Sequence, residues 1–301
     1  MKVFGVDYQF LSCGSVFTDG LAHAAEDLGI EYAHALWDVS DLERQIAEFH
    51  PDLVMVVHGR RLTQRFPNFE WCEATAVWLL DEPYEVDDTS RWSHKFDQVF
   101  VNDPSTLDRH ENAAYLPVCY DPHLHRPDGH IRPHAVGFIG GGNRTRDRYL
   151  GALARAGLLT YVVGGAWSDP AVDQRCLANN ISPANTAALY RGTRIVVNVF
   201  REEHHFNARG TVATSLNPRV YEATACGALV VSEWRPEIDS LVPELPTFRT
   251  EAECVDLISH LLAYPAEAEA IRHQCAVRLE PHTYAARLQT MLATMGLAVA
   301  A

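Results

Sequence analysis

The chain has 301 residues, 47% of them hydrophobic, and a formal charge of −14. That length and apolar content suffice for two ordinary domains, while the acidity argues against a nucleic-acid or anionic-membrane partner, since phosphate surfaces select basic proteins. No run approaches the roughly 20 apolar residues of a membrane span, and seven cysteines without a C-x-x-C pair favour neither a disulfide framework nor a zinc knuckle, which fits a reducing cytoplasm.

Met1-Lys2-Val3-Phe4-Gly5-Val6-Asp7 reads as a first strand, because no apolar signal segment or cleavage site follows. Further short apolar runs predict strands at 31–36, 52–58, 76–81, 98–102 and 114–118. Amphipathic stretches between them predict helices, one at 40–49 with Ser40 as N-cap and Glu43 in the capping-box position. Such alternation implies a parallel sheet covered on both faces. Residues 120–134 are rich in proline and polar side chains, a linker composition. His123, His125, His130 and His134 within it match no ligand spacing, so a solvated linker is a better reading than a metal site.

A second series follows, with strands at 135–139, 160–163, 194–200, 228–232 and 247–249. After the first of these comes Gly140-Gly141-Gly142-Asn143-Arg144-Thr145-Arg146, a glycine turn able to wrap a phosphate at the start of a helix. A dinucleotide fingerprint would need glycine at 145, where threonine stands, and no acidic residue closes the next strand. Gly164-Gly165-Ala166-Trp167 and Ile181-Ser182-Pro183 are weaker candidates for the nucleobase end. The polar loop 201–210 offers Glu203, His204 and His205 as sugar or acceptor contacts. Consecutive helical stretches close the chain from 251 to 295.

The stretch with most chemistry is Asn217-Pro218-Arg219-Val220-Tyr221-Glu222-Ala223-Thr224-Ala225-Cys226-Gly227. Asn217 is a favourable N-cap and Pro218 a favourable first helical residue. Arg219 and Glu222 share one face of the first turn. Helix-start amides with an arginine form a ready phosphate site, and the carboxylate one turn on could accept both hydroxyls of a ribose. Together they suit a sugar nucleotide.

This block resembles the C-terminal signature of GT-B glycosyltransferases, most closely the spore-maturation-protein type, with its N-x-R-x-x-E-A-x-A-C-G spacing. The resemblance implies a GT-B fold: two doubly wound Rossmann-like domains, 1–125 on the acceptor side and 134–281 on the nucleotide-sugar side. A terminal helix in 282–301 would cross back to the first. It also implies donor contacts from Gly140, Gly141, Gly142, Asn143, Arg144 (or Arg146), Asn217, Arg219 and Glu222, and from Gly14 and Ser15 across the cleft. W-x-x-D-x-P, a pattern of the same group, is present as Trp78, Asp81 and Pro83. Asp81 and His58, both at strand ends facing the cleft, are the candidate catalytic groups. One departure stands out: the E-x7-E element of large retaining families has its second glutamate at Glu222 but threonine, Thr214, at the first place.

The expectation is a cytoplasmic, metal-independent glycosyltransferase. It would need no cofactor, use UDP- or another NDP-sugar, act on a small-molecule or glycan acceptor, and retain configuration. Two rival classes remain, a nucleotide-sugar epimerase of GT-B fold and a non-catalytic nucleotide-binding protein. The first would convert donor without acceptor, and the second would bind nucleotide without turnover.

Overall fold

The computed structural model describes residues 1–8, 15–68, 71, 73–129, 131–201 and 205–297. Strands β1 (Lys2–Asp7), β2 (Glu31–Leu36), β3 (Leu53–Val57), β4 (Thr75–Leu79), β5 (Gln98–Val101) and β6 (Ala113–Tyr115) form one sheet. Strands β7 (His134–Ile139), β8 (Tyr161–Val163), β9 (Cys176–Ala178), β10 (Thr193–Asn198), β11 (Leu229–Glu233) and β12 (Thr247–Phe248) form another. Every pairing is parallel. The orders are β2-β1-β3-β4-β5-β6 and β12-β11-β10-β7-β8-β9, so each is doubly wound. Strands β3 and β4 are buried along their whole length, as near-continuous apolar runs in a two-sided parallel sheet should be.

Helices cover the sheets: α1 (Val16–Asp27), α2 (Leu42–Phe49), α3 (Arg60–Arg65) and α4 (Val86–Thr89) lie in the first half. In the second half lie α5 (Arg144–Arg155), α6 (Pro170–Asp173), α7 (Pro183–Arg191), α8 (Pro218–Ala225), α9 (Pro236–Leu241), α10 (Glu251–Ala263) and α11 (Pro265–Leu279). The capping box expected at Ser40 does not form. Asp41 takes the N-cap place of α2, and the side chains of Arg44 and Gln45 occupy its carboxylate instead.

The last helix, α12 (Tyr284–Thr294), adds Tyr284, Leu288, Met291 and Leu292 to the core under the first sheet. Gly20 of α1 makes that approach possible, because a Cβ there would fall 2.5 Å from the Tyr284 ring. Arg287 anchors the crossing by donating to the carbonyls of Pro117 (2.7 Å) and Val118 (3.2 Å). Tyr120 exchanges backbone hydrogen bonds with His282 and Tyr284. The segment between the sheets is therefore tied down, and Tyr120, Asp121 and His125 in it are buried.

Candidate active site

The second sheet reverses its order between β7 and β10, and open parallel sheets bind ligands beyond the strand carboxyl ends at such a point. Arg219 spans it. Its Nε donates to the Ile139 carbonyl at the end of β7 (2.8 Å) and its Nη1 to Asn198 Oδ1 at the end of β10 (2.6 Å). The guanidinium also lies 4.6 Å from the centroid of the Phe138 ring. Gly140 is required here: a Cβ would fall 2.6 Å from Arg219 Nη2, on a backbone with φ of +153°. Asn217 holds the N-cap position of α8, but its side chain does not cap. Its Nδ2 donates to Asn198 Oδ1 (2.9 Å), and its Oδ1 is buried without a partner.

Glu222, one turn into α8, opens onto the same cavity. Burial pushes its carboxyl above the ordinary range, while the charges of His125 and Arg219 pull it down, and no hydrogen bond from a described residue contributes. His125 is 2% exposed and lines the cavity, so the solvated-linker reading fails at this residue. Its Nδ1 accepts the Asp121 amide (3.3 Å). The other linker histidines lie apart. His123 reaches Asp27 (3.0 Å) and stacks on His23, His134 begins β7, and His130 lies outside the described residues.

Of the glycine turn, Gly140 and Gly141 line the cavity and Gly142 packs away from it, where a Cβ would fall 2.4 Å from the Ala166 carbonyl oxygen. Gly164 meets Gly140 in the same way, its notional Cβ 2.1 Å from that residue's carbonyl oxygen. Trp167 donates to the Gly164 carbonyl and packs on Phe138, so this pair of glycines supports the turn rather than contacting the cavity. Asn143 caps α5 by accepting from the Arg146 amide (2.9 Å). Arg144 is exposed and off the cavity wall, whereas Arg146, two residues further on, lines it. Arg146 donates to the carbonyls of Gly141 (2.7 Å) and Val199 (3.1 Å). Pro183, Thr186 and Tyr190 of α7 close the far side, with Ser182 capping that helix.

From the first half of the chain come Val16, Phe17, Asp81, Glu82, Tyr84 and Asn102. Asp81 is not a free base: its Oδ1 accepts from Arg201 Nη2 at 2.7 Å. His58 is 7% exposed and absent from the cavity wall, where the strand-end reading had put it. A left-handed backbone (φ +70°) turns it toward Glu85, with Nε2 3.6 Å from Oε2. Ser15 faces its own helix, donating to Asp19 Oδ2 (2.5 Å). His205 is exposed and off the wall, while Gly14, Glu203 and His204 lie outside the described residues.

The sequence reading missed a strap that binds the 201–216 loop to the first sheet's side. Arg201 pairs with Asp81, and Phe206 and Tyr84 share a backbone bond (2.9 Å). The Ala208 amide donates to Asp87 Oδ2 (2.5 Å). Asp103, fully buried, accepts from the amides of Thr214 (2.7 Å) and Ser215 (2.9 Å) and from both their hydroxyls. Glu237 accepts the next amide, Leu216 (2.5 Å), and burial raises its carboxyl to about 7. Arg235 donates to Tyr84 Oη (2.8 Å) and the Ser215 carbonyl (3.2 Å). No local pattern marks these residues, since each acts through a partner far along the chain. The result is a cavity of about 310 Å³ between the two sheets, floored by the glycine turn and α8.

Two doubly wound sheets facing across this cleft define the GT-B architecture, and the protein is a glycosyltransferase of that class. Residues 144–293, most of the second half, match the family described as glycosyl transferase-like. No curated protein matches the chain by sequence. Among solved structures, sucrose-phosphate synthase from Thermosynechococcus elongatus is similar over 99% of both chains, with 13% identity and a TM-score of 0.67. An alpha-glucosyltransferase solved with UDP and a 13-mer DNA containing an HMU base is similar over 98% of this chain and 99% of its own (12% identity, TM-score 0.70). AviGT4, a glycosyltransferase involved in avilamycin A biosynthesis, covers 99% and 98% (15% identity, TM-score 0.64). At these identities the likeness is one of fold.

Proposed function

We propose that the protein transfers a sugar from a nucleoside diphosphate donor to a small-molecule or glycan acceptor. The observation that carries this reading is Arg219, fixed across the ends of β7 and β10 with Glu222 beside it in one cavity. The diphosphate lies against Arg219, Arg146 and the start of α8, whose donors neutralise charge on the leaving group without a metal ion. The ribose hydroxyls donate to Glu222, and the base lies along α7. The acceptor enters from the Asp81 and Tyr84 side. Because Asp81 is engaged by Arg201, the departing phosphate itself takes the acceptor proton, and configuration is retained. The Asn217–Gly227 spacing supports placing the chain near the spore-maturation-protein type.

The test is calorimetric binding of a nucleoside diphosphate and NDP-sugar panel, starting with UDP because one structural neighbour was solved with it. Arg219→Ala should cost roughly 2–5 kcal/mol of nucleotide affinity, as expected for a desolvated charge pair. Glu222→Gln should cost about 1.5–3 kcal/mol with the fold intact. Nucleotide binding that neither substitution weakens would overturn the donor site.

A further inference from the structure

Four arginines, Arg146, Arg201, Arg219 and Arg235, line one cavity in a chain whose net charge is −14. Among the described residues, three carboxylates share that wall. Asp81 is matched to Arg201. Glu82 is turned inward, with Oε1 accepting from Thr89 Oγ1 (2.5 Å) and Oε2 lying 3.6 Å from the buried His110 Nε2. Glu222 sits beside Arg219 at the nucleotide end. On the donor reading above, on which this inference rests, Arg219 and Arg146 answer the diphosphate.

Arg235 is left over. It stands on the other side of the loop entering α8, stacked 3.6 Å from the centroid of the Phe200 ring. Its two hydrogen bonds go to neutral oxygens, Tyr84 Oη and the Ser215 carbonyl, and among the described residues it has no carboxylate partner. A guanidinium has five N–H donors in a rigid fork, so three remain for a ligand. Braced by a ring and two oxygens, that fork is set for a planar or tetrahedral anion and has little rotamer freedom left to lose.

We propose that the substrate carries a second anionic group, a carboxylate or a phosphate separate from the donor diphosphate, and that Arg235 binds it. The subsite is the end of the cavity formed by Tyr84, Phe200, Arg201 and Ser215. The group belongs either to the transferred sugar, as in a uronic acid, or to the acceptor, as in a sugar phosphate.

Two calorimetric arms separate these sources. The donor arm compares UDP-glucuronate with UDP-glucose. The acceptor arm, run at saturating UDP, compares glucose 6-phosphate with glucose. In one arm the acidic ligand should bind at least about tenfold more tightly than its neutral twin. That ratio should fall close to one in Arg235→Gln and to an intermediate value in Arg235→Lys, which keeps the charge and loses the fork. Thermal melts establish that each variant is folded, and the lysine variant carries the test if the glutamine variant is not. UDP binding with no acidic preference in either arm overturns this inference alone. A preference that survives in the Arg235 variants moves the anion elsewhere and overturns it as well. Failure of UDP and UDP-sugars to bind overturns the donor reading together with it.

Discussion

Replacing Asp103 with alanine should unfasten the loop that leads into the donor helix. The carboxylate has no exposed surface and takes four hydrogen bonds from Thr214 and Ser215, with a fifth from the Ser105 amide (3.0 Å). The two hydroxyls can rotate toward other acceptors when it is removed. The two interdomain amides cannot, and a buried amide left unpaired costs roughly 1–3 kcal/mol. The loss is therefore about 2–6 kcal/mol, against a total stability on the order of 5–15 kcal/mol. Its bonds to Thr214, Ser105 and Ser215 outweigh burial and hold the Asp103 carboxyl below the ordinary range. A depressed folded value means this stabilisation is complete above the unfolded carboxyl pKa near 4 and is lost as pH falls through the folded one. Urea titrations at pH 7 and at about pH 3 should show a large gap between wild type and Asp103→Ala at the first that narrows at the second. A destabilisation below about 1 kcal/mol at pH 7 would refute the clamp.

Three other perturbations follow from the same geometry. Asp81→Asn should leave nucleotide affinity near wild type and turnover within about tenfold of it, measured with whichever donor binds, because the departing phosphate takes the proton; a fall of about 10²-fold in turnover alone would make Asp81 the base. Glu237→Gln should stabilise the protein by on the order of 2 kcal/mol at pH 8 and leave it unchanged near pH 4. The raised carboxyl makes its contribution complete below the unfolded value and loses it as pH rises through about 7, so equal stability at pH 8 would refute that assignment. Gly164→Ala places a Cβ 2.1 Å from the Gly140 carbonyl oxygen at φ +124°; it should cost about 3 kcal/mol in a thermal melt and weaken nucleotide binding through the displaced turn.

What the sequence disclosed depended on how far apart the cooperating residues lie. Buried strands such as Leu53–Val57 and Leu229–Glu233 are continuous apolar runs, and each can be read by itself. Strand β9 cannot, because its three residues at the sheet edge include an exposed Leu177 and carry no periodicity. Arg219 and Glu222 lie within one turn of one helix, so their shared face follows from spacing alone. Asp103 meets Thr214 across 111 positions, and Arg235 meets Tyr84 across 151. A lone aspartate after a strand looks like any strand-end cap. His125 was misread for the opposite reason: proline-rich surroundings signal solvent, but the Asp121 turn and the cavity wall bury it.

The position of Thr214 joins the clamp to substrate choice. Where the E-x7-E pattern would present a carboxylate toward the donor sugar, this chain has a threonine whose hydroxyl and amide are both committed to Asp103. That substitution withdraws a negative charge from the sugar end of the cleft and fixes the loop against the opposite sheet. The hydroxyls and amides of Thr214 and Ser215 are thereby committed to the interface. Among the described residues, Asp81, Glu82, Arg201 and Arg235 are charged groups on the cavity wall, and Arg235 has no carboxylate partner among them. Removing an acid and retaining an unmatched arginine change the local field in the same direction. A neutral hexose gains nothing from such a field, whereas an acidic one, or an acidic acceptor beside it, gains a charge-assisted hydrogen bond in a site shielded from water.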